Sequence, residues 1–187
     1  MTNISEYINE LLKWGDSSYF RPGIPHECYW ISISVILLTF LLAKYNKISF
    51  KDTIRFVALV ALIDYIALLF ASTFVFRSES SSFDYDLTPL WSYRAILSGE
   101  IHLLIENSLN IVLFIPIGFL CRNCFPKCEW WKIICFGSFI SFTIESFQLY
   151  FKRGFSELDD VLHNTLGCIL GYVIASLLFN YIEKRNQ

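Results

Sequence analysis

Four mostly apolar runs, residues 56–76, 101–121, 131–151 and 161–181, dominate this 187-residue chain. Each approaches the roughly 20 residues that an α-helix needs to cross a hydrocarbon core of about 30 Å. A shorter run, 28–43, joins them because Tyr29 and Trp30 give it an aromatic interfacial end. Backbone amides in lipid must be satisfied within a helix or a closed barrel, so such runs leave little choice of architecture. The chain is 55% hydrophobic and 17% charged, with mean hydropathy +0.47. Soluble domains are typically ~45–50% apolar and ~25% charged. The expected fold class is all-α: a polytopic membrane helix bundle of about five transmembrane helices.

The spans divide the chain into an amphipathic N-terminal segment (1–27), two N-terminal transmembrane helices (28–76), an extracellular loop (77–100), a three-helix core (101–182) and a cytoplasmic tail (183–187). The first segment lacks the apolar stretch of a cleavable signal peptide. Its Ile4, Tyr7, Ile8, Leu11 and Leu12 instead fit a helix lying on the membrane surface. Basic residues set the orientation. Lys44, Lys47, Lys51, Arg55, Arg122, Lys127, Lys132, Lys184 and Arg185 fall on one side, and Lys13, Arg21, Arg77, Arg94, Lys152 and Arg153 on the other. The larger cluster is expected in the cytoplasm, which puts the N-terminus outside and the C-terminus inside a cell membrane. The net charge of −2 and the lack of a basic patch give no reason to expect nucleic acid as a partner.

Cys121, Cys124 and Cys128 share the short loop assigned to the cytoplasm. Structural zinc sites usually want four ligands, and all three histidines map to the opposite side, so these read as reduced thiols. Cys135 and Cys168 lie within spans and act as small apolar residues. His102 and His163 lie at the outer edge, near Glu106 and Asp159, as interfacial histidines. No metal and no cofactor are expected.

The last three spans share a pattern at the expected outer end. Glu106 and Asn110, Glu145 and Gln148, and Asp160 and Asn164 are each three or four residues apart, so each pair shares a helix face. Asp159 adjoins the last pair and also suits a helix N-terminus. An acid at the bilayer centre costs roughly 2.5–3.5 kcal/mol on insertion scales, which disfavours exposure to lipid. An outward-facing polar cavity lined by Glu106, Asn110, Glu145, Gln148, Arg153, Asp159, Asp160 and Asn164 is the expectation. Deeper in the last span, Gly167, Gly171 and Ala175 form a small-residue seam. The fourth and fifth spans are expected to pack along it as a hairpin, with residues 151–158 as the turn. Asp64 lies near the middle of the second span, and Ser141 or Thr143 stand at the right depth to bond it. Residues 77–100 either cover the cavity or serve as a plain linker.

The series Asn110, Phe114, Ile115, Pro116, Gly118, then Glu145 and Gln148, then Arg153, Phe155, Asp159, Asp160, Asn164, Gly167 and Gly171 resembles the VanZ-like membrane protein family. The likeness covers roughly residues 107–181, with a weaker echo at 87–91. It implies a link to low-level resistance to the lipoglycopeptide teicoplanin, or to the cell envelope, but names no reaction. Three functions are compatible with the chain. One is a non-enzymatic protein whose cavity binds a membrane lipid, a lipid-linked cell-wall component or a teicoplanin-like amphiphile. The second is a membrane enzyme using paired carboxylates on a lipid-linked substrate. The third is a small transporter in which Pro116 breaks a helix and Asp64 relays protons.

Overall fold

The computed structural model describes residues 25–77, 79 and 81–185, apart from the side chains of His26 and Phe74. The amphipathic segment expected before residue 25 lies outside the described residues. Six α-helices and two short strands follow: α1 (His26–Tyr45), α2 (Phe50–Phe70), β1 (Asp84–Asp86), α3 (Trp91–Leu97), α4 (His102–Cys124), α5 (Trp130–Phe151), β2 (Phe155–Glu157) and α6 (Leu158–Arg185). All but α3 are long and apolar enough to cross a membrane.

Helix starts and stops have local causes. Ser49 caps α2 by accepting the Asp52 amide at 3.2 Å. Helix α5 ends at Lys152, held in the left-handed region at φ 55°, with the Arg153 amide reaching back to the Gln148 carbonyl at 2.9 Å. Gly154 follows at φ +119°, which a side chain rarely adopts, and turns the chain into β2. Helix α4 stays continuous through Pro116. The Tyr65 hydroxyl donates to the Leu113 carbonyl at 2.7 Å, beside the gap that the proline leaves in the amide ladder. Helix α2 closes with one wide turn, Ala71–Val75. There the Ser72 and Thr73 hydroxyls both donate to the Leu69 carbonyl at 2.8 Å.

Side-chain volume decides how the helices pack. Cβ atoms added at Gly167 and Gly171 of α6 would land on the Ile111 and Ile115 carbonyl oxygens of α4. One added at Gly118 of α4 would land on the Cys168 carbonyl of α6. Glycine thus comes from both sides, and the two backbones touch. Because residue numbers rise together along the contact, α4 and α6 run parallel. This corrects the expected hairpin: the seam faces α4, not α5. Helix α5 still packs antiparallel on α6, through Gly137 against Cys168 and a 2.9 Å hydroxyl contact between Ser138 and Thr165. The shared core holds Leu62, Leu69, Phe114, Ile117, Ile133, Ile140, Ile144 and Cys168.

Helix α1 is the outlier. It packs on α2 with most of its large apolar side chains exposed, as a lipid-facing helix requires. Asp64 is bonded across this contact, accepting from the Ser32 hydroxyl at 2.9 Å. The partner expected at Ser141 or Thr143 is therefore on another helix. Ser141 bonds Asn164 instead, and Thr143 bonds the Phe139 carbonyl of its own helix.

Candidate functional site

The acids gather where α4 and α6 begin and α5 ends. Two further pieces complete this end: the wide turn of α2, and the 77–100 segment. That segment is not a plain linker. Its β1 pairs in parallel with β2, aligning Asp84 with Phe155, Tyr85 with Ser156 and Asp86 with Glu157. Trp91 of α3 packs edge-on against Phe155, centroids 6.1 Å apart, and its indole N–H donates to Glu157 Oε2 at 3.1 Å.

Asp159 organises the contact. Its side chain is fully buried, yet both carboxylate oxygens are matched. Oδ1 accepts the Leu90 amide at 2.6 Å; Oδ2 accepts the Ser92 amide at 3.0 Å and the Ser92 hydroxyl at 2.7 Å. Asn107 Nδ2 donates to the same Ser92 oxygen at 3.1 Å. Leu90 pays for this with φ 60°, a left-handed conformation costing an L-residue roughly 1–2 kcal/mol. Charge-assisted bonds of roughly 1.5–3 kcal/mol outweigh that strain. Asp159 therefore clasps the start of α3 onto the start of α6.

The other predicted residues divide by accessibility. Gln148 is buried and donates to the Thr73 carbonyl at 2.9 Å. Arg153 donates to the Val75 carbonyl at 3.0 Å, so both residues tie α5 to the wide turn of α2. Asn164 is buried and donates to the Ser141 hydroxyl at 2.8 Å, while its own oxygen has no partner. Glu145 is buried, and its Oε2 accepts the Glu157 amide at 3.0 Å. Asp160 and Asn110 are half-buried and bonded to each other at 2.6 Å. Glu106 is half-buried nearby, within the electrostatic reach of Asp160, Glu157 and His102.

Two charged residues at this site were not foreseen. Arg77 acts electrostatically on both Glu106 and Asp160, and its guanidinium lies over Gly154, where a Cβ would collide with it. A cation among carboxyls offsets their mutual repulsion. Glu157, in β2, is pushed up to about 8 by burial first, then by the carboxylates of Asp160 and Glu106, against the opposing Trp91 bond. Neither residue had a visible signal, since both lie in connections rather than on a helix face.

His163 is buried beside Asp159, with Nε2 2.9 Å from the Tyr93 hydroxyl and Nδ1 unpartnered. His102 lies 3.4 Å from Glu100. Among the described residues, no three His, Cys, Asp or Glu side chains converge to hold a metal ion.

Five apolar helices with a polar end of this kind define a multi-pass membrane protein. Residues 33–179 match the model of the VanZ/LLP1 family, and the chain belongs to that family. It is similar to Protein VanZ of Enterococcus faecium, with 29% identity over 76 residues. That alignment covers 41% of this chain and 47% of the relative, about half the relative's length. No solved structure matches the chain.

Proposed function

We propose that this VanZ-family protein acts in glycopeptide resistance of the teicoplanin type, or more broadly at the cell envelope, by binding an amphiphile or lipid-linked cell-wall component at its acidic end. The observation that carries this reading is the meeting of Glu106, Glu145, Glu157, Asp159 and Asp160 with Arg77 at one end of the bundle. A purely structural anchor has no use for so many carboxyls, which repel one another and cost desolvation.

The roles within the cluster differ. Asp159, Gln148 and Asn164 would shape the site, because their bonds point into the protein. Glu106, Asn110, Asp160 and Arg77 would meet the ligand, being half-buried rather than enclosed. Arg77 and Arg153 supply guanidinium groups suited to phosphate or carboxylate, and the carboxyls and amides suit sugar hydroxyls and peptide N–H groups. The acidic end would face outward, as the distribution of basic residues favours.

The test is a resistance assay in a teicoplanin-susceptible Gram-positive host. Glu145→Gln and Asp160→Asn should each lower resistance to the level of the empty host while membrane abundance stays unchanged. Full resistance in both variants would remove the acidic end from the function.

A second reading is an enzyme acting on a lipid-linked substrate. Glu157 favours it, because a carboxyl held near 8 keeps a proton to donate at neutral pH. A new product from lipid-linked precursors, found by mass spectrometry and lost in Glu157→Gln, would establish that reading over the first.

A further inference from the structure

The opposite end of the bundle carries a different kind of surface. Between the start of α2, the end of α4 and the turn that follows, two adjoining hollows of about 360 and 500 Å³ share Arg55, Cys124 and Phe125. Ile48, Phe56 and Leu59 line the first, and Lys127 lines the second. We infer that this groove is a binding site for an anionic phospholipid, with its phosphate at Arg55 and Lys127 and an acyl chain along Ile48, Phe56 and Leu59. The inference rests on residues remote from the acidic end and stands whether or not that end binds a ligand.

Charge and apolar surface lie together here in the order a lipid presents them. Ile48, Phe56 and Phe125 remain 42%, 50% and 49% exposed, so the apolar wall is open to an occupant. Arg55 lies in the second turn of α2 and Lys127 in the turn between α4 and α5, near the helix ends where a lipid phosphate sits. Asp52 also lines the groove, but its carboxylate is engaged. It accepts the Ser49 hydroxyl at 2.7 Å and one Arg55 N–H at 3.4 Å. A guanidinium has five N–H donors, so that contact leaves Arg55 able to bind phosphate as well. Basic pockets between membrane helices are a recognised setting for anionic head groups. A free phosphate ion would use the cations but gain nothing from the apolar wall.

Native mass spectrometry of the full chain in detergent, titrated with phosphatidylglycerol or phosphatidylcholine, tests this. Phosphatidylglycerol should bind preferentially, and inorganic phosphate should fail to displace it. The double variant Arg55→Gln/Lys127→Gln should weaken it roughly 30-fold, the equivalent of about 2 kcal/mol for two membrane-surface cations. Lys132→Gln should leave binding unchanged, because Lys132 does not line the groove. An independent readout uses the unaltered protein: phosphatidylglycerol, but not phosphatidylcholine, should slow maleimide labelling of Cys124 and Cys128, mapped peptide by peptide. Equal binding of the two lipids, unweakened binding by the double variant, displacement by inorganic phosphate, or labelling indifferent to phosphatidylglycerol would each overturn the site.

Discussion

Helices α4 and α6 touch backbone to backbone, whereas α1 meets α2 through side chains and leaves much of its apolar surface to lipid. Both contacts lie in the same apolar solvent, so the hydrophobic effect does not separate them. Geometry does. Glycine on both helices lets the α4–α6 pair approach until main-chain atoms are in contact, and dispersion attraction rises with that proximity. The α1–α2 pair has no such seam, and the Ser32–Asp64 bond is a polar link across it. A membrane bundle can thus hold a closely packed unit and a peripheral helix within one fold, and the acidic end is built on the closely packed unit.

Gly171→Leu should break the comparison outright. A side chain there has backbone in its way, at Ile115 and Phe119, and backbone cannot rotate aside. We expect destabilisation of about 3 kcal/mol or more, at the upper end for overpacking, read as lost membrane accumulation and aggregation in detergent. Normal accumulation and thermal stability would mean that the pair is not as tight as described.

Asp159→Ala should act next, at about 2–3 kcal/mol, because it leaves the Leu90 and Ser92 amides without their acceptor. Hydrogen exchange should rise across residues 88–97 while α4 and α6 stay protected. Exchange spread evenly over the bundle would show that Asp159 supports the whole fold and not this clasp.

Ser32→Ala sharpens the contrast from the weak side. It removes the bond to Asp64 and should cost about 1 kcal/mol, measured as a small fall in thermal stability. A loss equal to that of Gly171→Leu would abolish the distinction between core and periphery.

Length and apolarity made the spans legible, because a bilayer allows few alternatives to a helix. Polar residues at Glu106, Asn110, Glu145, Gln148, Asp160 and Asn164 also announced a common end through their spacing. The seam was legible but its partner was not. Gly167 and Gly171 say that something approaches closely, and only the fold shows that Gly118 completes the contact. Asp64 was similar: several hydroxyls lie at its depth, and depth alone does not choose among helices. The clasp gave no warning. Its strained position is Leu90 rather than a glycine, and the strands beside it are three residues long, too short for an alternating pattern.

The clasp and ribbon also have a consequence for biogenesis. Leu90 and Asp159 are 69 residues apart, and β1 pairs with a strand that emerges only after α5. During synthesis, residues 84–92 must wait while α4 and α5 are made, without β2 and without the Asp159 carboxylate that the Leu90 and Ser92 amides bond. The acidic end therefore cannot close until α6 begins to be made, and a ribosome stalled before α6 would hold four membrane-spanning helices with that end still open.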